Sequence, residues 1–236
     1  EVGVKTKTLN LWCDSSNVWL PEDYIIKCSQ EVDLNKFAGM DCYVGVDLAA
    51  TSDLTAVAYL VVLDGTYYFK THYYLPESAL KDKADKELYK YWKQQGYLTV
   101  TSGNVTDYDY ITTDMLRYAD VVNIQSVGYD KYNATQWAID STEQGLPLEE
   151  YPQTLGNFNM PTRELERLIL SGKAVIDNNE INRYCFRNVT LKSDYNGNVK
   201  PNKAVDKKKI DGTIAMIQAL GMYLRTPHYT NEILTI

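Results

Sequence analysis

Histidine and cysteine are scarce in this chain. Its 236 residues hold two histidines, His72 and His228, and four cysteines, Cys13, Cys28, Cys42 and Cys185. So few histidines, without paired cysteines, argue against a zinc site built on either. No C-x-x-C pair occurs, which fits isolated thiols in a reducing compartment rather than a disulfide framework. Long apolar runs are missing too. None approaches the ~20 residues of a membrane-spanning helix, and the N-terminus lacks a signal-peptide pattern. Positive charge is in deficit: 24 Lys and Arg face 31 Asp and Glu, for a net charge of -7. That balance argues against broad nonspecific adhesion to nucleic acid and leaves room for a local basic groove. The phosphate-cradling pattern G-x-x-x-x-G-K-[ST] does not occur, since Gly172-Lys173 is followed by Ala174 and lacks the earlier glycine. No internal repeat or low-complexity segment is visible. What is present is ordinary: 44% hydrophobic and 23% charged residues, enough for one domain with a substantial core.

Along the chain, residues 1–39 read as an irregular leader, a connector to something longer, with Trp12, Trp19 and one short helix opening at Pro21. Residues 40–225 form the expected domain, and 226–236 a tail. Tyr43–Leu48 reads as a first strand and the apolar run Leu54–Leu63 as a second, buried on both faces. Asp64-Gly65 is a strong hairpin signal. A third strand alternates Tyr67, Phe69, Thr71 and Tyr73 with Tyr68, Lys70, His72 and Tyr74. Helical spacing follows from about Asp85 to Gly96 and from Thr106 or Asp107. Val121–Tyr129 reads as a fourth strand, Ala134 onward as a helix, and Leu148–Gln153 as a fifth strand. Pro161 is expected to open another helix. Phe186–Leu191 and Asn198–Lys200 flank a hairpin turn at Asn196-Gly197, and a last helix runs from about Lys207. The sum is an α/β fold with a mixed sheet.

Asp47 ends the first strand and Asp130 follows the fourth. If those strands are adjacent and parallel, both carboxylates leave one sheet edge, where open α/β sheets bind ligands. Asp211, beside the apolar stripe of the last helix, can reach the same place. Two carboxylates about 4 Å apart repel by about 4 kcal/mol at an effective dielectric near 20. A divalent cation reverses that sign, and oxygen ligands without histidine or cysteine suit Mg2+ or Mn2+. Two such ions can hold the attacking water and leaving oxygen of a phosphodiester in line. Taken singly, each aspartate is better read as a cap or turn residue, and only their convergence favours a metal site. Asp53 is an accessory candidate whose simpler role is to brace its own turn. Lys131, Lys200, Lys203, Lys207, Lys208 and Lys209 are the candidate DNA contacts. The last three crowd the expected helix start, with Asp206 as its cap, where cations are disfavoured unless an anion is to be met. A solvated charge run is the alternative reading.

These residues together resemble the C-terminal nuclease domain of the large terminase subunit of tailed bacteriophages. The pieces are Asn10-Leu11-Trp12, Trp19, Val44-Gly45-Val46-Asp47-Leu48-Ala49, Asp53 to Val57 and Gln95-Gly96-Tyr97-Leu98. Tyr129-Asp130 with Ala134, Pro161 to Leu168, Asn188, and Lys209-Ile210-Asp211-Gly212 with Ala215 and Ala219 complete them. Each piece is weak alone; their order and spacing over most of the chain make the likeness specific. The resemblance implies an RNase H-like five-stranded sheet, order 3-2-1-4-5, with helices on both faces. It implies two-metal cleavage of double-stranded viral DNA concatemers, with Mg2+ or Mn2+ held by Asp47, Asp130 and Asp211. In that scheme Asp47 bridges both ions. The hairpin at Asn196-Gly197 corresponds to an element that controls DNA access. The implied partners are an N-terminal packaging ATPase of the same full-length protein, the portal and the small terminase subunit, at the prohead in the host cytoplasm, with no membrane. A histidine frequent in the family after the Pro-Thr-Arg-Glu helix has no counterpart in Val175–Asn179.

Two other classes compete. An actin-like or sugar-kinase-like ATPase wants a glycine in its first loop, and Ala49-Ala50-Thr51-Ser52 has none. A non-catalytic portal-docking module would use some of the twenty tyrosines, most of which are better read as amphipathic cover for core and rim.

Overall fold

The computed structural model describes residues 18–49, 53–82, 85–132, 134–205 and 208–227. The chain enters through α1 (Glu22–Cys28), with two acids in its first turn, and β1 (Ser29–Gln30). A 3-10 turn over Leu34–Phe37 leads to the meander β2 (Asp41–Asp47), β3 (Thr55–Leu63) and β4 (Thr66–Pro76). Asp64 and Gly65 both take positive φ, 49° and 72°, as a two-residue hairpin demands. Then come α2 (Ala79–Asp82), α3 (Lys86–Gln94), β5 (Thr99–Thr101) and α4 (Tyr108–Ala119). β6 (Asn123–Tyr129), α5 (Thr135–Glu143) and β7 (Leu148–Glu150) follow. The remainder is α6 (Leu155–Leu170), β8 (Ala174–Asp177), α7 (Glu180–Arg187), the hairpin β9 (Val189–Ser193) and β10 (Val199–Lys203), and α8 (Asp211–Arg225).

The main sheet runs β1-β8-β4-β3-β2-β6-β7, with β5 also paired to β4. Within it β4-β3-β2-β6-β7 are the five strands expected from the sequence, in the order 3-2-1-4-5. β2 pairs antiparallel with β3 and parallel with β6. The sheet is larger than five strands because β5, β8 and β1 extend it to eight among the described residues. Two hydrophobic clusters cover its faces. Val44, Val46, Val57, Tyr59 and Val61 pack with α4 and α5 on one side. Tyr43, Ala56, Ala58, Leu60 and Phe69 pack with α6, α7 and α8 on the other.

Several expectations need correcting. Residues 18–39 are no irregular leader: Trp19, Leu20, Ile25, Cys28, Val32, Leu34 and Phe37 are all buried, and β1 joins the sheet beside β8. Residues 1–17 and 228–236 lie outside the described part. Pro161 does not open α6 but sits inside it. The helix starts at Leu155, where the Thr154 hydroxyl accepts from the Asn157 amide. Pro161 has no N–H for the Asn157 carbonyl four residues back. The Tyr151 hydroxyl donates to that carbonyl instead, at 2.7 Å, so the helix continues past the proline. Phe186 belongs to α7, not to a strand.

α8 fixes the geometry of the functional end. Ile214, Ala215, Met216, Ile217, Ala219, Leu220 and Met222 are buried along it. Each fully buried Ile, Leu or Met contributes roughly 1.5–3 kcal/mol. The helix lies directly on β2 at Gly45, where a Cβ would overlap the Ala215 carbonyl and the Ala219 amide. That close approach brings the N-terminal end of α8 over the carboxyl end of β2.

Candidate metal centre

Asp47 is the last residue of β2. The loop beyond it is anchored by the Ala49 amide donating to Thr55 Oγ1 (3.0 Å) and by the Tyr108 hydroxyl donating to the Ala49 carbonyl (2.8 Å). Asp211 is the first residue of α8, where a carboxylate favours the helix dipole. The helix starts four residues later than its sequence pattern suggested, so the lysines precede it and do not load its first turn. Asp206 and Lys207 lie outside the described residues.

Asp47 and Asp211 open into one cavity of about 540 Å³, together with Asp53, Gln153, Lys200 and Lys203. Burial, and after it the charge of Asp211, pushes the Asp47 carboxyl well above the ordinary carboxylate value. Asp211 is pushed up to about 6, by burial first and then by the charge of Asp53. Its Oδ2 is buried with no hydrogen-bond partner. Asp53 goes the other way. Burial raises it, but the Lys209 ammonium and the Leu54 amide together hold it below the ordinary range. It accepts from the Leu54 amide at 2.9 Å and pairs with Lys209 Nζ. It therefore braces its turn and lines the cavity at once.

Asp130 stands next to this cavity rather than in its lining. Its charge contributes to raising Asp47, but both of its oxygens are engaged by backbone. Tyr132 N donates to Oδ1 (2.9 Å) and Gln153 N to Oδ2 (3.0 Å). Among the described residues no group of three or more His, Cys, Asp or Glu side chains is assembled as a metal cage. The structure thus brings two of the three expected aspartates to one cavity and ties the third beside it, through Tyr132 N on its own loop and Gln153 N on the cavity wall.

Gln153 is the residue sequence reasoning missed. Its side chain donates from Nε2 to Asp47 Oδ1 at 3.0 Å, and its carbonyl accepts from Lys200 Nζ at 2.9 Å. An isolated glutamine after a short strand carries no pattern that marks it. Among the expected basic contacts, Lys200 and Lys203 line the cavity. Lys209 is spent on Asp53, Lys208 lies over the Tyr184 ring (5.7 Å to its centroid), and Lys131 is paired with Glu150 at 2.8 Å. Asn188 holds the approach to α8 in place, donating to the carbonyls of Tyr184 (2.9 Å) and Lys209 (3.2 Å). The β9–β10 hairpin is docked on α6 through Val199 N to Asn159 Oδ1 (3.0 Å) and Arg163 Nη2 to the Gly197 carbonyl (2.7 Å).

The donor set fits a hard divalent cation. Two crowded carboxylates that repel each other, one with an orphaned oxygen, are hard oxygen donors, and the cavity lining has no histidine or cysteine. Cys185 lies near Asp211, and burial, then the charge of Asp211, push its thiol up.

The model of the terminase large subunit endonuclease domain matches residues 2–226. The chain belongs to that terminase endonuclease family. Protein YmfN of Escherichia coli K12 is 31% identical over 92% of the chain, which spans 51% of that relative. The large terminase subunit of phage HK97 is 29% identical over 76% of the chain, covering 36% of the relative. Its crystal structure superposes with a TM-score of 0.77 at 26% identity, over 86% of this chain and 43% of that one. The nuclease of the large terminase of thermophilic phage G20c, solved with bound magnesium, shares the fold at a TM-score of 0.53 and 12% identity, over 77% of this chain and 80% of that one. The chain therefore spans about half or less of the curated relatives it matches. Membership in the terminase nuclease family agrees with the mixed α/β sheet. No helix among the described residues is long and apolar enough to cross a membrane.

Proposed function

We propose that the chain is a divalent-cation-dependent endonuclease that cuts double-stranded viral DNA concatemers during genome packaging. The reaction is two-metal hydrolysis of the phosphodiester with Mg2+ or Mn2+. One observation carries this reading: Asp47 and Asp211 face a shared cavity with raised proton affinities and an orphaned Asp211 oxygen, beneath two lysines. Asp47, Asp211 and Asp130 would hold the ions, Asp130 through lone pairs that its two backbone hydrogen bonds leave open. Cations bound there supply charge neutralisation and a water of lowered pKa.

The chain's own residues do the rest. Lys200 and Lys203 bind backbone phosphates at the cavity rim, and the docked hairpin orients them. Ile210 and Ile214, both buried, give the cavity part of its apolar lining. Replacing both lysines with alanine is expected to weaken DNA binding regardless of sequence and to reduce the salt dependence of log K by roughly 2, one per phosphate contact. A salt titration of DNA binding by fluorescence anisotropy measures this; an unchanged slope removes the two lysines from the interface.

The remainder of the full-length protein we assign to a packaging ATPase, with portal and small terminase subunit as partners at the prohead in the host cytoplasm. Support comes from the fraction of the curated relatives that the chain spans. Incubated with supercoiled plasmid and manganese chloride, the chain is expected to nick and then linearise it, and EDTA to stop the reaction. Intact plasmid across a manganese titration would refute the nuclease reading.

A further inference from the structure

We infer that Gln153 is a positioning residue that ties Asp47 to Asp130 in the cation-free protein and competes with the first cation for Asp47. This rests on the metal-centre reading above. Three contacts meet on this one residue. Its side-chain amide donates to Asp47 Oδ1, its backbone N–H donates to Asp130 Oδ2, and its carbonyl receives Lys200 from the β9–β10 hairpin. Gln153 thus spans the gap between the carboxylate in the cavity and the one beside it. An amide N–H and a cation both seek carboxylate lone pairs, and Gln153 holds one lone-pair site on Asp47 Oδ1. A cation that takes Oδ1 displaces the amide. The displacement frees the Gln153 side chain without breaking its backbone contact to Asp130. The hydrogen bond stabilises the cation-free protein and raises the cation concentration needed to load it. Lys200 adds a link to the DNA side, because the lysine that a phosphate would recruit is the one that holds the Gln153 carbonyl.

The test uses the 236-residue chain stripped of metal and titrated with magnesium chloride alone, without DNA. The readouts are thermal unfolding and isothermal calorimetry. Gln153→Met keeps the side-chain length, removes the donor and leaves both backbone contacts. Its unfolding temperature without magnesium is expected to fall, and its half-saturating magnesium concentration to drop about tenfold, the lower end of what one hydrogen bond to a charged group is worth. A purely structural glutamine would lower stability with and without magnesium alike, leaving half-saturation unchanged; that result, or weaker binding, overturns the inference. If Gln153→Met does not fold, Gln153→Asn, one methylene too short to reach Asp47, carries the same expectation. Asp47→Asn is the control that separates the two layers. Loss of the magnesium response in Asp47→Asn with unchanged half-saturation in Gln153→Met rejects only the role of Gln153. A full magnesium response in Asp47→Asn rejects the metal centre itself.

Discussion

Asp211→Asn is expected to abolish manganese-dependent plasmid cleavage and, in EDTA at pH 7.5, to raise the unfolding temperature. Asp47→Asn should do the same. The sign follows from proton linkage. The ordinary carboxyl value is 3.8, and burial followed by the Asp53 charge pushes Asp211 to about 6 in the folded chain. Folding takes up protons between those values, so the Asp211 contribution is unfavourable, grows as pH rises through that window and is complete above about pH 6. Two units correspond to about 3 kcal/mol, more than the ~0.3–1 kcal/mol a carboxylate gains at an exposed helix N-terminus. His72 pulls the other way. Burial lowers it from 6.5 to about 4, so its contribution to stability is lost as pH falls below about 6.5. The two effects partly cancel in the parent curve, and only the difference between variant and parent isolates Asp211. That difference should vanish near pH 3.5 and reach about 2–4 °C per kcal/mol at pH 7.5. A variant that still cuts would remove Asp211 from the chemistry. One that melts lower at pH 7.5 would make its carboxylate a stabilising cap instead.

The parts of the fold legible in sequence are those with long periodic signals. β3 is buried on both faces for seven residues and reads as a nearly continuous apolar run; Asp64-Gly65 announces its turn. β1, β5 and β8 are two to four residues long and give no alternation to count, so the sheet looked smaller than it is. Pro161 misled because a proline is a frequent first-turn residue. What lets it sit mid-helix is a hydroxyl from Tyr151, a partner supplied by another segment that no local pattern can announce.

The candidate site divides along the same line. Asp47 was legible because an acid at the end of a buried strand is costly without a partner. Asp211 was legible from the apolar stripe beside it, although its helix begins later than the stripe suggested. The state of Asp130 was not legible. Its identity and place after β6 are as expected, yet Gln153 N and Tyr132 N occupy both its oxygens. The lysines differ in the same way. Of the basic run leading into α8, Lys209 neutralises Asp53, whereas Lys200 and Lys203, on the hairpin, reach the cavity. Charge is visible in a sequence; which charge is already answered is a property of the packing.

Gly45→Val is expected to be the most destabilising single substitution near the site. β2 and α8 touch backbone to backbone at this position, and a Cβ would meet the Ala215 carbonyl and Ala219 amide, not a flexible side-chain tip. Overpacking a core costs typically 1–3 kcal/mol, and more when nothing can yield. A helix buried along most of its length has no soft direction in which to move, so a loss above about 3 kcal/mol is expected, enough to threaten folding of a marginally stable domain. Gly45→Ala is the informative version. If it folds, α8 must lift from β2, and because Asp211 is the first residue of that helix, the lift separates it from Asp47. Gly45→Ala should therefore lose cleavage and the magnesium-dependent rise in unfolding temperature although both carboxylates remain. Gly156→Ala, at a glycine of α6 with open space around it, is the matched control and should be near neutral or slightly stabilising. Thermal unfolding with and without magnesium, beside the plasmid assay, reads all three variants. Parent-like magnesium response and cleavage in a folded Gly45→Ala would mean that the distance between β2 and α8 does not set the site.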